Sequence, residues 1–300
     1  MNLIIIGNGF DIHHGLKSEF CDYYLFLKKR CPELVNNYYF FPYIVHEEII
    51  TPQTIKKEWN DIEQRLHWLF DDKFYEVVDG NYPDMSDENP DWNGIQKVIE
   101  ADCYWLPKFT REQFKEWVDS IDTSKIAVDN SLTSLITNNN LYLSFNYTKT
   151  LEQIYKINEK NIFHIHGMQS DNKIQFGYYS EDEKPIDVIN YFENEYGDVE
   201  WYSVSIEPGL HSYQKVLDSC FKDVRSNFSK LETFINKDID KIVILGHSMS
   251  QTDELYYSEI IVKEFKNVQW ELYYHSEEEK KIKESFCTKY EIKKAKFIKW

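Results

Sequence analysis

The sequence predicts an α/β fold built on a mainly parallel, Rossmann-like sheet with large helical insertions. Short runs of apolar, β-branched or aromatic residues recur at Leu3–Ile6, Leu141–Phe145, Ile162–Ile165, Ile242–Leu245 and Val268–Tyr273. Amphipathic helical patterns lie between most of them, and strands that alternate with helices build parallel sheets. Polar clusters follow four of the runs directly: "GNGFD" after Ile6, "NYT" after Phe145, "HG" after Ile165 and "GHSMSQTD" after Leu245. The carboxyl ends of parallel strands share one edge, and ligands bind in the crevice there. The four clusters are therefore expected to meet at one rim.

The elements follow in order. After the first run come more than a hundred residues without a convincing strand, which read as helical. The clearest helix starts at Thr51-Pro52, carries Ile55, Trp59, Ile62, Leu66, Leu69, Phe70, Phe74 and Val77 as a stripe, and stops near Gly80. Glu63 falls inside that apolar arc, where a carboxylate needs a partner or a function. Thr110-x-x-Gln113 reads as the capping box of a second helix. In "FNYTKTLEQIYKIN" Thr148 is the expected N-cap of a helix bearing Leu151, Ile154 and Tyr155. A second insertion ends in an expected long helix with Val216, Phe221, Val224, Phe228 and Leu231, and the final "KKAKFIKW" reads as a solvated face. The expected layout is a single α/β domain over 1–300, with helical insertions at about 18–138 and about 171–240.

Composition narrows the function. A formal charge of −17 over 300 residues argues against a surface for long nucleic acid, which needs a basic stripe, and against attraction to anionic membranes. No run approaches the ~20 apolar residues of a membrane helix, and "MNLIII" has neither the length nor the basic flank of a signal peptide. The five cysteines are scattered without a CxxC pair, which suits reduced thiols in a cytoplasm and gives no structural zinc site.

Each rim cluster can carry chemistry. Gly7 and Gly9 permit a tight turn and close backbone approach to a phosphate, although Ile12 stands where the dinucleotide fingerprint places its third glycine. A strand end that uses glycine for turn geometry alone is the plain alternative. Asp11 caps the following segment or faces a ribose. Asn146 either binds a ribose hydroxyl or a water, or closes its own turn. His166, at a strand end beside Gly167, suits a general base near neutral pH, whereas His164 lies deeper and reads as a hydrogen-bonded core residue. The two histidines share a face, so a metal pair completed by Asp11 or Asp253 is conceivable, but no ligand spacing calls for one and no metal is expected. "GHSMS" resembles a nucleophile elbow with Ser250 in place of the last glycine, so a Ser248–Asp253–His275 triad is a weaker reading than a turn holding a nucleotide through Gly246 and Ser248.

Taken together, "IIIGNGFDIHHGL", "WNDIE", "SFNYTKTLEQIY", "HIHG" and "LGHSMSQTDELYY" resemble the AbiH family of bacterial abortive-infection proteins, which act in antiphage defence. That family is similar, more remotely, to sirtuin-like NAD-binding domains. By this resemblance "GNGFD" matches the first cofactor turn, Asn146 the asparagine of the site, His166 the catalytic histidine, and Gly246 with Ser248 the last turn. Thr148 stands where sirtuin-like patterns have an aspartate, and the zinc cysteines of protein deacylases are absent.

The resulting expectation is a cytoplasmic effector that hydrolyses the nicotinamide–ribose bond of NAD. Its catalytic residues would be His166, Asn146 and Asp11. The nucleotide would lie among Gly7, Asn8, Gly9, Phe10, Thr148, Gly167, Gly246, His247, Ser248 and Asp253. A phage-derived trigger, a defence partner or a homo-oligomer would gate it. The rivals are a non-catalytic nucleotide sensor and a different small-nucleotide hydrolase using Asp11, His166 and Asp253.

Overall fold

Six strands form one sheet: β1 (Asn2–Ile6), β2 (Leu141–Ser144), β3 (Ile162–His164), β4 (Lys241–Leu245), β5 (Gln269–Tyr274) and β6 (Ala295–Lys299). These come from a computed structural model that describes residues 1–36, 93–179, 187–191, 207–249 and 251–300, with Leu66, Gly80, Asn81, Asp84, Ser86, Asp87 and Asp91. The strand order is β3-β2-β1-β4-β5-β6 and every pair is parallel. That is the order of a doubly wound α/β sheet, and its winding reverses between β1 and β4. The expected Rossmann-like α/β class is therefore observed.

The central strands are apolar on both faces because both faces are covered. Leu3, Ile4 and Ile5 of β1 and Ile242 to Leu245 of β4 are fully buried. One face packs Ile4, Ile6, Tyr142, Val243 and Leu245 with Phe10, Leu132, Ile136 and Leu151. β6 was not expected. It is an edge strand with exposed Lys296 and Lys299, and edge lysines that block further pairing make such a strand read as a solvated segment.

The chain divides into two compact units. The first comprises Met1–Glu19, Lys115–Gln175 and Asp223–Trp300 and contains the whole sheet. The second comprises Phe20–Phe114 and Phe176–Lys222. Its described part includes the helices Phe20–Arg30, Pro32–Val35, Asn93–Pro107 and Glu207–Cys220. Aromatic rings fill its interior, with Phe114 stacked on Phe176 at 4.0 Å and Tyr23 edge-on to Phe114.

Three helix expectations change. The chain is already helical from Asn93, and Thr110 lies inside a π-helical turn, where its hydroxyl donates back to the Leu106 carbonyl instead of capping a new helix. The expected long helix through Val216 and Leu231 is two helices, Glu207–Cys220 and Phe228–Ile235. Between them Phe221 bridges to Tyr178 and Asp223 caps a short 3-10 turn, which uses backbone groups that a continuous helix would need. Thr148 does not cap a helix either: the helix there is only Thr150–Gln153, with Lys149 at its N-cap. The expected helix over Ile55–Val77, with Glu63 and "WNDIE", lies outside the described residues apart from helical, buried Leu66.

Candidate functional site

All residues of the candidate site belong to the sheet-containing unit, and they start where β1 and β4 end. The Gly7 N–H donates to the Leu245 carbonyl (3.1 Å) and the Gly9 N–H to that of Gly246 (2.8 Å). A Cβ on Gly246 would stand 2.2 Å from the Phe10 nitrogen, and one on Gly7 would stand 2.6 Å from the His247 Cα. Gly246 also has φ +61°, the left-handed region open to glycine. Glycine is thus needed here because two turns lie backbone against backbone. The amides of Gly7 and Gly9 are engaged within the protein, and the Phe10 N–H donates to the Gly7 carbonyl. Phe10 is a core residue, while the exposed Asn8 donates its amide to the Ser18 carbonyl.

The helix Asn8–His13 carries Asp11 into the interior, 1% exposed. One carboxylate oxygen accepts the Thr148 hydroxyl (2.6 Å) and the other that of Thr150 (2.7 Å). Burial raises its pKa from 3.8 to about 6, against the opposing effect of the two hydroxyls, the Asn146 amide and the nearby His164. Asn146 is 4% exposed. Its amide lies near enough to Asp11 to favour the charged form. Yet among the described residues neither Nδ2 nor Oδ1 has a partner in hydrogen-bonding geometry. A buried amide left so costs about 1–3 kcal/mol per unmet group.

A second cluster surrounds Asp253. His166 Nε2 lies 3.2 Å from its Oδ1, and His247 Nε2 lies 3.4 Å from its Oδ2. All three residues are buried. The other nitrogen of His247 accepts the Met249 N–H (2.9 Å) and faces the Tyr257 hydroxyl (3.0 Å). Met249 has φ +59°, a conformation that costs a side-chain-bearing residue about 1–2 kcal/mol. The ring of Phe145 walls the cluster, 4.1 Å from His247 and 5.5 Å from His166 between centroids. Gly167, at φ +79°, lets the chain turn away behind His166, whose carbonyl accepts the Gln175 N–H. Contacts run unbroken from His166 through Asp253 and His247 to Gly7, so the imidazole shares a rim with the opening glycines.

The two histidines of "HIHG" separate. His164 lies against the Asn146 carbonyl (3.1 Å) and Glu152 (2.8 Å), a hydrogen-bonded interior position. Asp11 meets threonines and Asp253 meets His166, so these carboxylates are not gathered on one imidazole. Ser248 is exposed. His275 pairs with Glu279 at 2.6 Å while Asp253 serves two other rings, so no Ser248–Asp253–His275 triad is assembled.

Sequence reasoning missed Thr150, Tyr257 and Met249. For Thr150 a signal existed: "TKT" places two hydroxyls two residues apart just beyond a strand end. For Tyr257 and Met249 none did, because only the folded turn aims them at His247.

Neither the curated proteins nor the solved structures contain a significant match to this chain. The family model for bacteriophage abortive infection AbiH matches residues 3–274, a span that holds every rim turn described above. The chain belongs to the AbiH family, and with that membership goes a role in abortive infection of bacteriophage.

Proposed function

We propose that this protein acts in abortive infection by binding a nucleotide, NAD, and hydrolysing its nicotinamide–ribose bond. The observation that carries this reading is Asn146: a buried amide with both polar atoms unmet, beside a buried carboxylate, at the carboxyl edge of a doubly wound sheet. An amide offers a donor and an acceptor side by side, which suits a sugar hydroxyl or an attacking water.

Rupture of the N-glycosidic bond leaves positive charge on the ribose. Asp11, mostly ionised at pH 7 with a pKa of about 6, would stabilise that charge. Asn146 would hold the water, whose oxygen bonds to the ribose carbon as nicotinamide leaves with the bonding pair. His166 would take the water's proton. Binding would involve the Gly246–Ser248 turn, and a phage-derived trigger, partner protein or self-association would release the activity.

One observation favours a second reading, a nucleotide sensor without turnover. Both Asp11 oxygens are already committed to Thr148 and Thr150, which suits a fixed charge more than a reacting group.

The test follows nicotinamide, NAD, NADP and ATP with purified protein, with and without phage lysate. Nicotinamide release should fall about 10²–10⁴-fold in His166→Ala, be lost in Asn146→Ala, and survive in Ser248→Ala. Binding without release under any trigger selects the sensor. Loss of phosphate with nicotinamide untouched selects a different hydrolase.

A further inference from the structure

The geometry points to a tautomer relay in which His247, acting through Asp253, fixes which nitrogen of His166 carries the proton. His247 and Asp253 are positioning residues in this scheme, not ligands of the nucleotide.

The Met249 N–H points at His247 Nδ1 from 2.9 Å, and a backbone amide can only donate, so that nitrogen must present its lone pair. The neutral ring then carries its proton on Nε2, the atom that faces Asp253 Oδ2. Asp253 as an anion lies 3.4 Å from that nitrogen, and its other oxygen faces His166 Nε2 at 3.2 Å. A carboxylate offers only lone pairs, so His166 Nε2 must also hold a proton. His166 is left with its lone pair on Nδ1, and Nδ1 becomes the atom that accepts a proton in any chemistry at the site. The turn is built for this purpose: Met249 is held in a left-handed conformation that ordinary side chains avoid, and this conformation brings its N–H back onto His247. Tyr257, the first residue of a π-helical turn, places its hydroxyl against the same nitrogen.

The catalytic meaning of the relay rests on the reading of His166 as a base, but the tautomer itself does not, so the experiment reads the ring directly. Nitrogen NMR of histidine-labelled protein distinguishes a ring nitrogen that bears a proton from one that bears a lone pair. In the wild type, His166 and His247 should both be protonated on Nε2. In Asp253→Asn the new amide has one oxygen and one NH2. His247, fixed by Met249, claims the oxygen, and the NH2 is left facing His166, which should switch to the Nδ1-protonated form. Adding His247→Leu frees the amide to turn, and His166 should return to Nε2–H.

A wild-type His166 protonated on Nδ1 overturns the relay without any variant. So does an Asp253→Asn protein whose His166 does not switch, or a double variant in which the switch persists. An intact relay with no nicotinamide release leaves the relay standing and removes the glycohydrolase reading.

Discussion

Two buried carboxylates stand at the same rim, and they differ in who donates to them. Asp11 accepts two threonine hydroxyls, groups that stay neutral and keep their proton at every ordinary pH. Asp253 lies between two imidazoles, each of whose ring nitrogens either holds a proton or presents a lone pair. The first arrangement fixes a negative charge in place. The second couples two proton positions through one anion. The same residue type is thus a local field in one place and a relay in the other, and the neighbours decide which.

The comparison breaks most completely at the junction that both clusters share. Gly246→Ala adds a Cβ 2.2 Å from the Phe10 nitrogen at a φ of +61°. Left-handed strain of about 1–2 kcal/mol and overpacking of about 1–3 kcal/mol add up. A loss of about 3 kcal/mol or more is expected in urea denaturation, with both clusters disordered together. A normal midpoint would show that the two turns are less tightly joined than described.

Asp11→Asn sharpens the contrast. The folded protein keeps the Asp11 proton up to about pH 6, whereas the unfolded chain releases it near 3.8. Stability from this group therefore falls as pH rises from about 4 to 6, and the deficit is complete above the folded pKa. Two pKa units correspond to roughly 3 kcal/mol. The stability difference between Asn variant and wild type should move in favour of the variant by about that amount across the window. A difference that stays flat with pH would mean that Asp11 ionises without cost. On the proposed mechanism, nicotinamide release by the wild type should fade below pH 6 as the carboxylate is neutralised.

A smaller effect of unusual sign is expected beside Asp11. Asn146→Leu replaces a buried, unpartnered amide with an apolar group of similar size, so the fold should gain about 1–2 kcal/mol while ligand binding is lost. Calorimetry of the variant with and without NAD measures both. Lost stability would mean that the amide has a structural duty after all.

Much of the fold was legible because its signals are local. Leu3–Ile6 and Ile242–Leu245 are continuous apolar runs, as central parallel strands must be. Each is followed at once by glycine, which announces the turn. β6 was hidden because an edge strand needs a polar side, and its lysines resemble any solvated segment. The helix through Val216 and Leu231 was misjudged because its apolar spacing continues across a break at Phe221–Asn227 that only the bridge to Tyr178 reveals. In the site, the gathering of Asp11, Asn146, His166 and the Gly246 turn at one rim followed from the strand ends. The partners did not. Thr148 looked like a helix cap and is instead a donor to a carboxylate 137 positions away.

Sequence alone determined five of the six strands and the edge on which polar residues collect, because strand periodicity and glycine turns act over a few residues. Tertiary structure decided what each polar group does there. A hydrogen bond depends on placement to within fractions of an ångström, and that placement is set by the packing of β1 against β2 and β4, which no short stretch of sequence contains.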